Sequence, residues 1–187
     1  MKAVALLRDQ IYDYFQASPA CQRHFHDAVH EDEYVQYYNS MYLLQDSTES
    51  LLSHREHGFS LNAYLAYLEF WGLMQALIIQ QDAIQELHKV ISGKQLDTKG
   101  LESWSEVRRL RNICAGHPAK KDRPKPVVRS FMGRNFGGYD AMTYELWKKG
   151  AGTTHPKVAL GALIDAYAGE AGAQLAAVLA KMKNRWP

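Results

Sequence analysis

One stretch constrains this chain more than any other. Residues 61–92 contain no proline and a single glycine, Gly72. Leu61, Tyr64, Leu65, Leu68, Trp71, Met74 and Ile78 recur with the three-four rhythm of a helix face. Leu73, Leu77, Ile79 and Ile84 add apolar surface off that stripe. A helix apolar over so much of its circumference must be wrapped by others, so it is expected at the centre of a helical bundle. Ser60 is the expected N-cap and Gly93 the expected stop.

The flanking sequence supplies the partners. Ala3, Leu6, Leu7, Ile11, Tyr14 and Phe15 predict a first helix over 3–17. Ser18-Pro19 reads as an N-cap followed by a proline in the first turn. A second helical region follows to His57, kinked near His30, with a stripe of Val35, Tyr38, Met41, Tyr42, Gln45, Leu51 and Leu52 ending at Gly58. Ser103-Trp104-Ser105-Glu106 has the form of a capping box and starts the next helix, which stops at Gly116 to Pro118. Val127–Met132 and Tyr139–Trp147 have strand-like content around Arg134-Asn135-Phe136-Gly137-Gly138 and predict a β-hairpin. Thr153-Thr154-His155-Pro156 opens a last helix reaching Arg185. The expected fold is mainly α: an up-and-down helical bundle with a hairpin inserted at residues 127–147, one domain over residues 1–187.

Charge is unevenly placed. Residues 108–134 hold nine of the 22 basic residues and one of the 20 acids, leaving a +8 island on a −6 body. Such an island favours a polyanionic ligand, although a solvated loop gives the same composition. Cys21 and Cys114 are the only cysteines, too few for a disulfide framework or a zinc set, and a reducing cytoplasm is the simplest expectation. The apolar start from Met1 to Leu7 is too short for a signal-peptide core. The run Phe70 to Ile79 falls short of the ~20 apolar residues a membrane span needs.

The end of the fourth predicted helix, RRLRNICAGHPAKK at 108–121, concentrates the chemistry. On an ideal α-helix, Arg111 and His117 stand roughly 120° and about 9 Å apart. A long arginine can reach along the groove toward an imidazole at the helix end, and Gly116 lets the last turn re-aim His117. A histidine moves protons near neutral pH without a metal. A guanidinium offers a fork to phosphate oxygens and stabilises charge built up in a transition state. Asn112 can hold a phosphate oxygen or orient the histidine. The set suits an RNA phosphodiester, whose 2′-hydroxyl supplies the nucleophile. The plainer alternative is a salt-bridged Arg111 and a His117 that caps its own helix.

The pattern Arg111-Asn112-x4-His117 on a late helix resembles the HEPN (higher eukaryotes and prokaryotes nucleotide-binding) family. Residues 70–87, FWGLMQALIIQQDAIQEL, also look like the helix packed beside the motif helix in such bundles. The resemblance is strongest over residues 60–118, and the hairpin departs from the minimal four-helix form. It implies a metal-independent endoribonuclease acting as a two-fold homodimer, with two motifs meeting in one composite cleft. The catalytic set is then Arg111, Asn112 and His117, and no cofactor or metal is needed. Lys120, Lys121, Arg108 and Asp82 complete the substrate-binding set, with Asp82 as orienter of Arg111. The implied partner is RNA or a nucleotide, in the cytoplasm and away from membranes, with an antitoxin as a further partner. Some members of that family only bind nucleotides, RNA or proteins, which is the alternative function.

Other groups rank below the motif. His26 and His30 share helical i,i+4 spacing, but no third ligand is evident in sequence. His54 and His57 read as partners of a helix C-terminus. Gln80, Gln81 and Asp82 suggest a buried hydrogen-bond set beside Arg111, or simply the solvent edge of the helix. Cys114 reads as packing. Tyr139, Tyr144 and Trp147 offer base-stacking surfaces or core.

Overall fold

A computed structural model describes residues 1–116 and 127–187. The expected mainly α architecture is present: a helical bundle with a small antiparallel β insertion. The helices are α1 (Lys2–Ala17), α2 (Pro19–His26), α3 (Glu31–His57), α4 (Ala63–Ser92), α5 (Glu102–Arg111) and α6 (Leu160–Arg185). A 3₁₀ turn at Ala28–His30 joins α2 to α3, and a π-helical turn at Asn112–Gly116 extends α5.

Local chemistry sets several boundaries. Ser18 Oγ accepts from the Cys21 amide at 3.2 Å, with Pro19 opening α2. Gly58 and Gly93 end α3 and α4 at positive φ. The expected kink near His30 is a full break. The Asp27 backbone is extended, and its carboxylate accepts from the Val29 amide at 3.0 Å before α3 begins. The cap of α4 is Asn62 rather than Ser60: Asn62 Oδ1 accepts from the Tyr64 and Leu65 amides at 3.0 and 3.3 Å. Ser60 Oγ instead accepts from the Asn62 amide at 3.1 Å.

α4 lies against α3, α5 and α6, as its apolar circumference requires. Its buried side is not the expected one. Phe70, Leu73, Met74, Leu77, Ile78, Ile84 and Leu87 are buried, whereas Leu61, Tyr64, Leu65 and Leu68 are each more than half exposed and Trp71 is also exposed. Only Met74 and Ile78 of the predicted stripe reach the core. Both faces of the first four turns are apolar, so periodicity alone cannot choose between them. α3 behaves similarly: Met41 and Leu51 are buried beside Tyr37 and Leu44, while Val35 and Tyr42 point outward.

α5 starts by a long-range device, not by the predicted capping box. Ser103 lies inside the first turn, and Glu106 pairs with Arg109 instead of reaching back. The missing acceptor comes from α6: Glu170 takes the Ser103 and Trp104 amides at 3.0 and 2.7 Å. A carboxylate at a helix N-terminus also complements the helix dipole. Directly beneath, Trp104 is buried against Tyr167, ring centroids 5.6 Å apart. Glu170→Ala is expected to lower unfolding stability by roughly 1–2 kcal/mol, the usual cost of losing a cap. Glu170→Gln keeps an acceptor and should recover part of it, as read from denaturant midpoints.

The β insertion is larger than a hairpin. β1 (Val128–Phe131), β3 (Glu145–Lys148) and β4 (Gly152–Thr154) form an antiparallel sheet in the order β1-β3-β4. Arg129 stands opposite Trp147, and Leu146 opposite Thr154. β2 (Met142–Thr143) pairs with β5 (Lys157–Val158). The predicted strand 139–147 is thus divided at Tyr144, which is buried. Thr153 and Thr154 belong to β4, and the last helix begins only at Leu160. Phe136 holds the insertion to the bundle, 5.5 Å from Phe70 and 5.4 Å from Phe59 by ring centroids. Tyr67 OH donates to the Met132 carbonyl, and Ser130 Oγ to the Ile113 carbonyl, so the insertion braces the end of α5. Among the described residues, no helix is long and apolar enough to cross a membrane.

Candidate anion site at the end of helix α5

The last turn of α5 carries three arginines with different surroundings. Arg109 grips Glu106 in a fork, Nε and Nη2 donating at 2.6 and 2.5 Å. This hydrogen bonding holds the Glu106 carboxyl below its usual range and raises the Arg109 guanidinium further. Arg108 donates to Asp82 of α4. Arg111 is treated otherwise. Its Nη2 donates to Gln75 Oε1 at 3.1 Å and its Nη1 to Asn112 Oδ1 at 3.2 Å. Both acceptors are neutral amide oxygens. Among the described residues no carboxylate pairs with Arg111, so its positive charge stays uncompensated where its two neighbours are neutralised.

Asp82 therefore orients Arg108, and the expected Asp82–Arg111 partnership does not form. Gln80 and Gln81 are fully buried, but they do not meet Arg111 either: Gln80 Nε2 donates to Thr48 Oγ1 at 2.7 Å and Gln81 Nε2 to the Trp104 carbonyl at 3.0 Å. The residue that does hold Arg111, Gln75, is the lone polar interruption of the apolar run 70–79. That interruption was its only signal in the sequence.

Backbone geometry aims the guanidinium toward the end of the helix. The π turn at Asn112–Gly116 fits an extra residue into the last turn of the helix. Gly116 lies under the arginine: a Cβ there would stand 3.0 Å from Nη1 and 3.4 Å from the Arg111 carbonyl. The guanidinium thus rests against the residue that precedes His117 in the chain. His117, Lys120 and Lys121 lie outside the described residues. Cys114 faces inward, and burial pushes its thiol up to about 12, so it packs rather than reacts.

The other groups flagged in the sequence are placed elsewhere. His54 accepts or donates at Nδ1 with Tyr139 OH, 2.6 Å away, and its Nε2 lies 4.0 Å from Glu69. Burial lowers the His54 imidazole and pushes the Tyr139 phenol up to about 12. This pair ties the end of α3 to the insertion. Tyr144 is core, and Trp147 is exposed on β3. His26 packs its ring against Phe15 and Tyr34, and the break after α2 removes the helical spacing between His26 and His30.

The exposed face of α4 leads into the arginine. Tyr64, Leu65, Leu68, Gly72 and Gln75 fall on one helical stripe, with the exposed Leu61 just before the helix, and Gln75 is the residue holding Arg111. Arg134 lies over the Tyr64 ring, 4.9 Å from its centroid. An apolar strip thus ends at a cation that no carboxylate pairs among the described residues.

The chain matches no family model, and no curated protein and no solved structure is significantly similar to it.

Proposed function

We propose that the chain is a HEPN-like, metal-independent endoribonuclease whose Arg111 and His117 act on one RNA phosphodiester. The observation that carries this reading is the state of Arg111: a partly exposed guanidinium, fixed by two amide oxygens, turned onto Gly116 and lacking a carboxylate among the described residues. An arginine serving only stability is better placed against an acid, as Arg108 and Arg109 are. One left charged and oriented suits an anion that arrives from outside.

The chemistry follows from what these groups can do. The 2′-hydroxyl attacks the adjacent phosphorus, the 5′-oxygen leaves, and the products are a 2′,3′-cyclic phosphate and a 5′-hydroxyl. Arg111 stabilises the charge on the non-bridging oxygens of the phosphorane. Asn112 and Gln75 hold the guanidinium in plane for that contact. His117 moves the proton. Taking a proton from the 2′-hydroxyl and giving one to the leaving oxygen are tasks for two groups on opposite sides of phosphorus. A two-fold dimer supplies a second His117 from a second copy. The exposed α4 strip ending at Arg111 is the surface on which that copy docks. Arg108, Lys120 and Lys121 then flank the strand, and a cytoplasmic, toxin-like enzyme restrained by an antitoxin is the setting.

The test is cleavage of single-stranded RNA in EDTA by the full chain, compared with Arg111→Ala and His117→Ala. Cleavage lost in both variants supports the enzyme. RNA binding without cleavage in the wild type leaves the silent binding module, for which the exposed α4 strip also speaks. Gly116→Ala gives a finer check. Its methyl displaces the guanidinium, and misplacement by about an ångström typically costs on the order of 100-fold in rate. Fold stability should change by less than about 1 kcal/mol, since alanine favours a helical turn over glycine. Unchanged cleavage in Gly116→Ala would detach the observed Arg111 pose from catalysis.

A further inference from the structure

We propose that His24, His30 and Glu33 form a binding site for one divalent first-row transition ion, zinc being the natural occupant, at the corner between α2 and α3. The site stands apart from the Arg111 chemistry and does not depend on it.

Three elements bring the ligands together. His24 sits in the last turn of α2, His30 closes the 3₁₀ turn, and Glu33 lies in the first turn of α3. The chain reversal opened by Asp27 converts three residues scattered over ten positions into a cluster. His24 Nε2 is 3.1 Å from Glu33 Oε2, and His30 Nδ1 is 3.4 Å from Glu33 Oε1. The imidazole centroids are 3.9 Å apart, and one ligand atom from each residue lies within 4.8 Å of the others. Zinc bound at about 2.0–2.2 Å to nitrogen and oxygen sets neighbouring ligands of a tetrahedron about 3.4 Å apart. The spacings from Glu33 to either imidazole are already close to that, and the two imidazoles must swing apart to face one ion. Two imidazoles and one carboxylate match the borderline-soft donor set that such ions select.

The surroundings favour a cation and leave it a path. Glu31 and Asp32 share the first turn of α3 with Glu33. All three ligand residues are partly exposed, so an ion reaches them without the fold opening. Three protein ligands leave a coordination position for water. The site is also buttressed: the His24 ring packs against Trp186, centroids 5.0 Å apart, and Trp186 against Phe25 at 5.3 Å. A bound ion would clip α2 to α3 and steady the corner on which the last residues of the chain rest.

The probe is Zn²⁺ itself, titrated calorimetrically into the EDTA-dialysed full chain. The expected result is one ion per chain, a higher melting temperature with zinc, and a change in Trp186 fluorescence. Altering outer-shell partners of a zinc ligand already costs about 10–100-fold in affinity, so His24→Ala, His30→Ala and Glu33→Gln should each cost at least about tenfold. His26→Ala should bind as the wild type does. X-ray absorption at the zinc edge of the wild-type protein, which needs no variant to fold, should show two imidazoles and no sulfur. Absence of stoichiometric zinc binding, binding indifferent to the three substitutions, or sulfur scattering would each overturn the proposal.

Discussion

Arg111→Ala is expected to lower metal-free cleavage of single-stranded RNA by about a thousandfold, with the melting temperature nearly unchanged. The rate effect follows from the role: removing one preoriented donor aimed at developing charge costs roughly 10²–10³ in rate, and a charged donor lies at the upper end. The stability effect follows from the environment. Arg111 is held by two amide oxygens at 3.1 and 3.2 Å and forms no ion pair among the described residues, so little folding energy rests on it. Arg111→Lys separates charge from shape. A lysine keeps the positive charge but loses the planar fork that Gln75 and Asn112 orient, and should recover only a minor part of the rate. Arg109→Ala makes the opposite pattern: it breaks a forked pair with Glu106 and should affect stability more than turnover. His117→Ala should match Arg111→Ala in rate, since a general acid or base contributes about 10²–10⁴. Equal cleavage by Arg111→Ala and wild type in EDTA would remove the reason for reading the site as a nuclease.

The same residues show where a sequence speaks for structure and where it falls silent. Ser18-Pro19, Gly58 and Gly93 act on backbone within a few positions of themselves, so the boundaries they set were readable. The start of α5 was not, because its acceptor is Glu170, which sits 67 positions from Ser103 along the chain. Local capping chemistry at Ser103 and Glu106 pointed to a motif that the tertiary partner displaced. β4 was hidden for a related reason. Gly152-Thr153-Thr154 becomes a strand only by pairing with Leu146 to Lys148, and Gly150 and Gly152 supply the positive φ that the turn requires. The arginines divide likewise. Composition marked a basic island, but which arginine is left without a carboxylate among the described residues depends on the register of α4 against α5. That register places Asp82 beside Arg108 and Gln75 beside Arg111. The His24–His30–Glu33 cluster was missed because the expected continuous helix put His26 and His30 on one face, whereas the break at Asp27 brings His24 round instead.

Leu68→Asp is expected to break the proposed dimer into monomers and to abolish the proposed cleavage while leaving the isolated fold intact. Leu68 is more than half exposed, so replacing it disturbs little of the core, and exposed positions usually change stability by about 0.5 kcal/mol or less. Association is another matter. In a two-fold contact each substitution appears twice, and losing a buried leucine costs about 1.5–3 kcal/mol per copy. The dimer should therefore weaken by roughly 10²–10⁴-fold, before the repulsion of two desolvated carboxylates is counted. Leu65→Asp, one position round the same face, should behave alike, whereas Val35→Asp, exposed on α3, should not. Sedimentation across a concentration series reads the first effect, and RNA cleavage in EDTA the second. Mixing Arg111→Ala with His117→Ala links them. If one cleft draws on both chains, the mixed dimer holds one intact arginine and one of the two histidines, water takes over the other proton transfer, and a small part of the activity returns. Adding Leu68→Asp to both should abolish that recovery. A wild type that is monomeric while cleaving RNA, or a mixture that never regains activity, would leave the α4 strip without a second copy and would return both halves of the chemistry to a single chain.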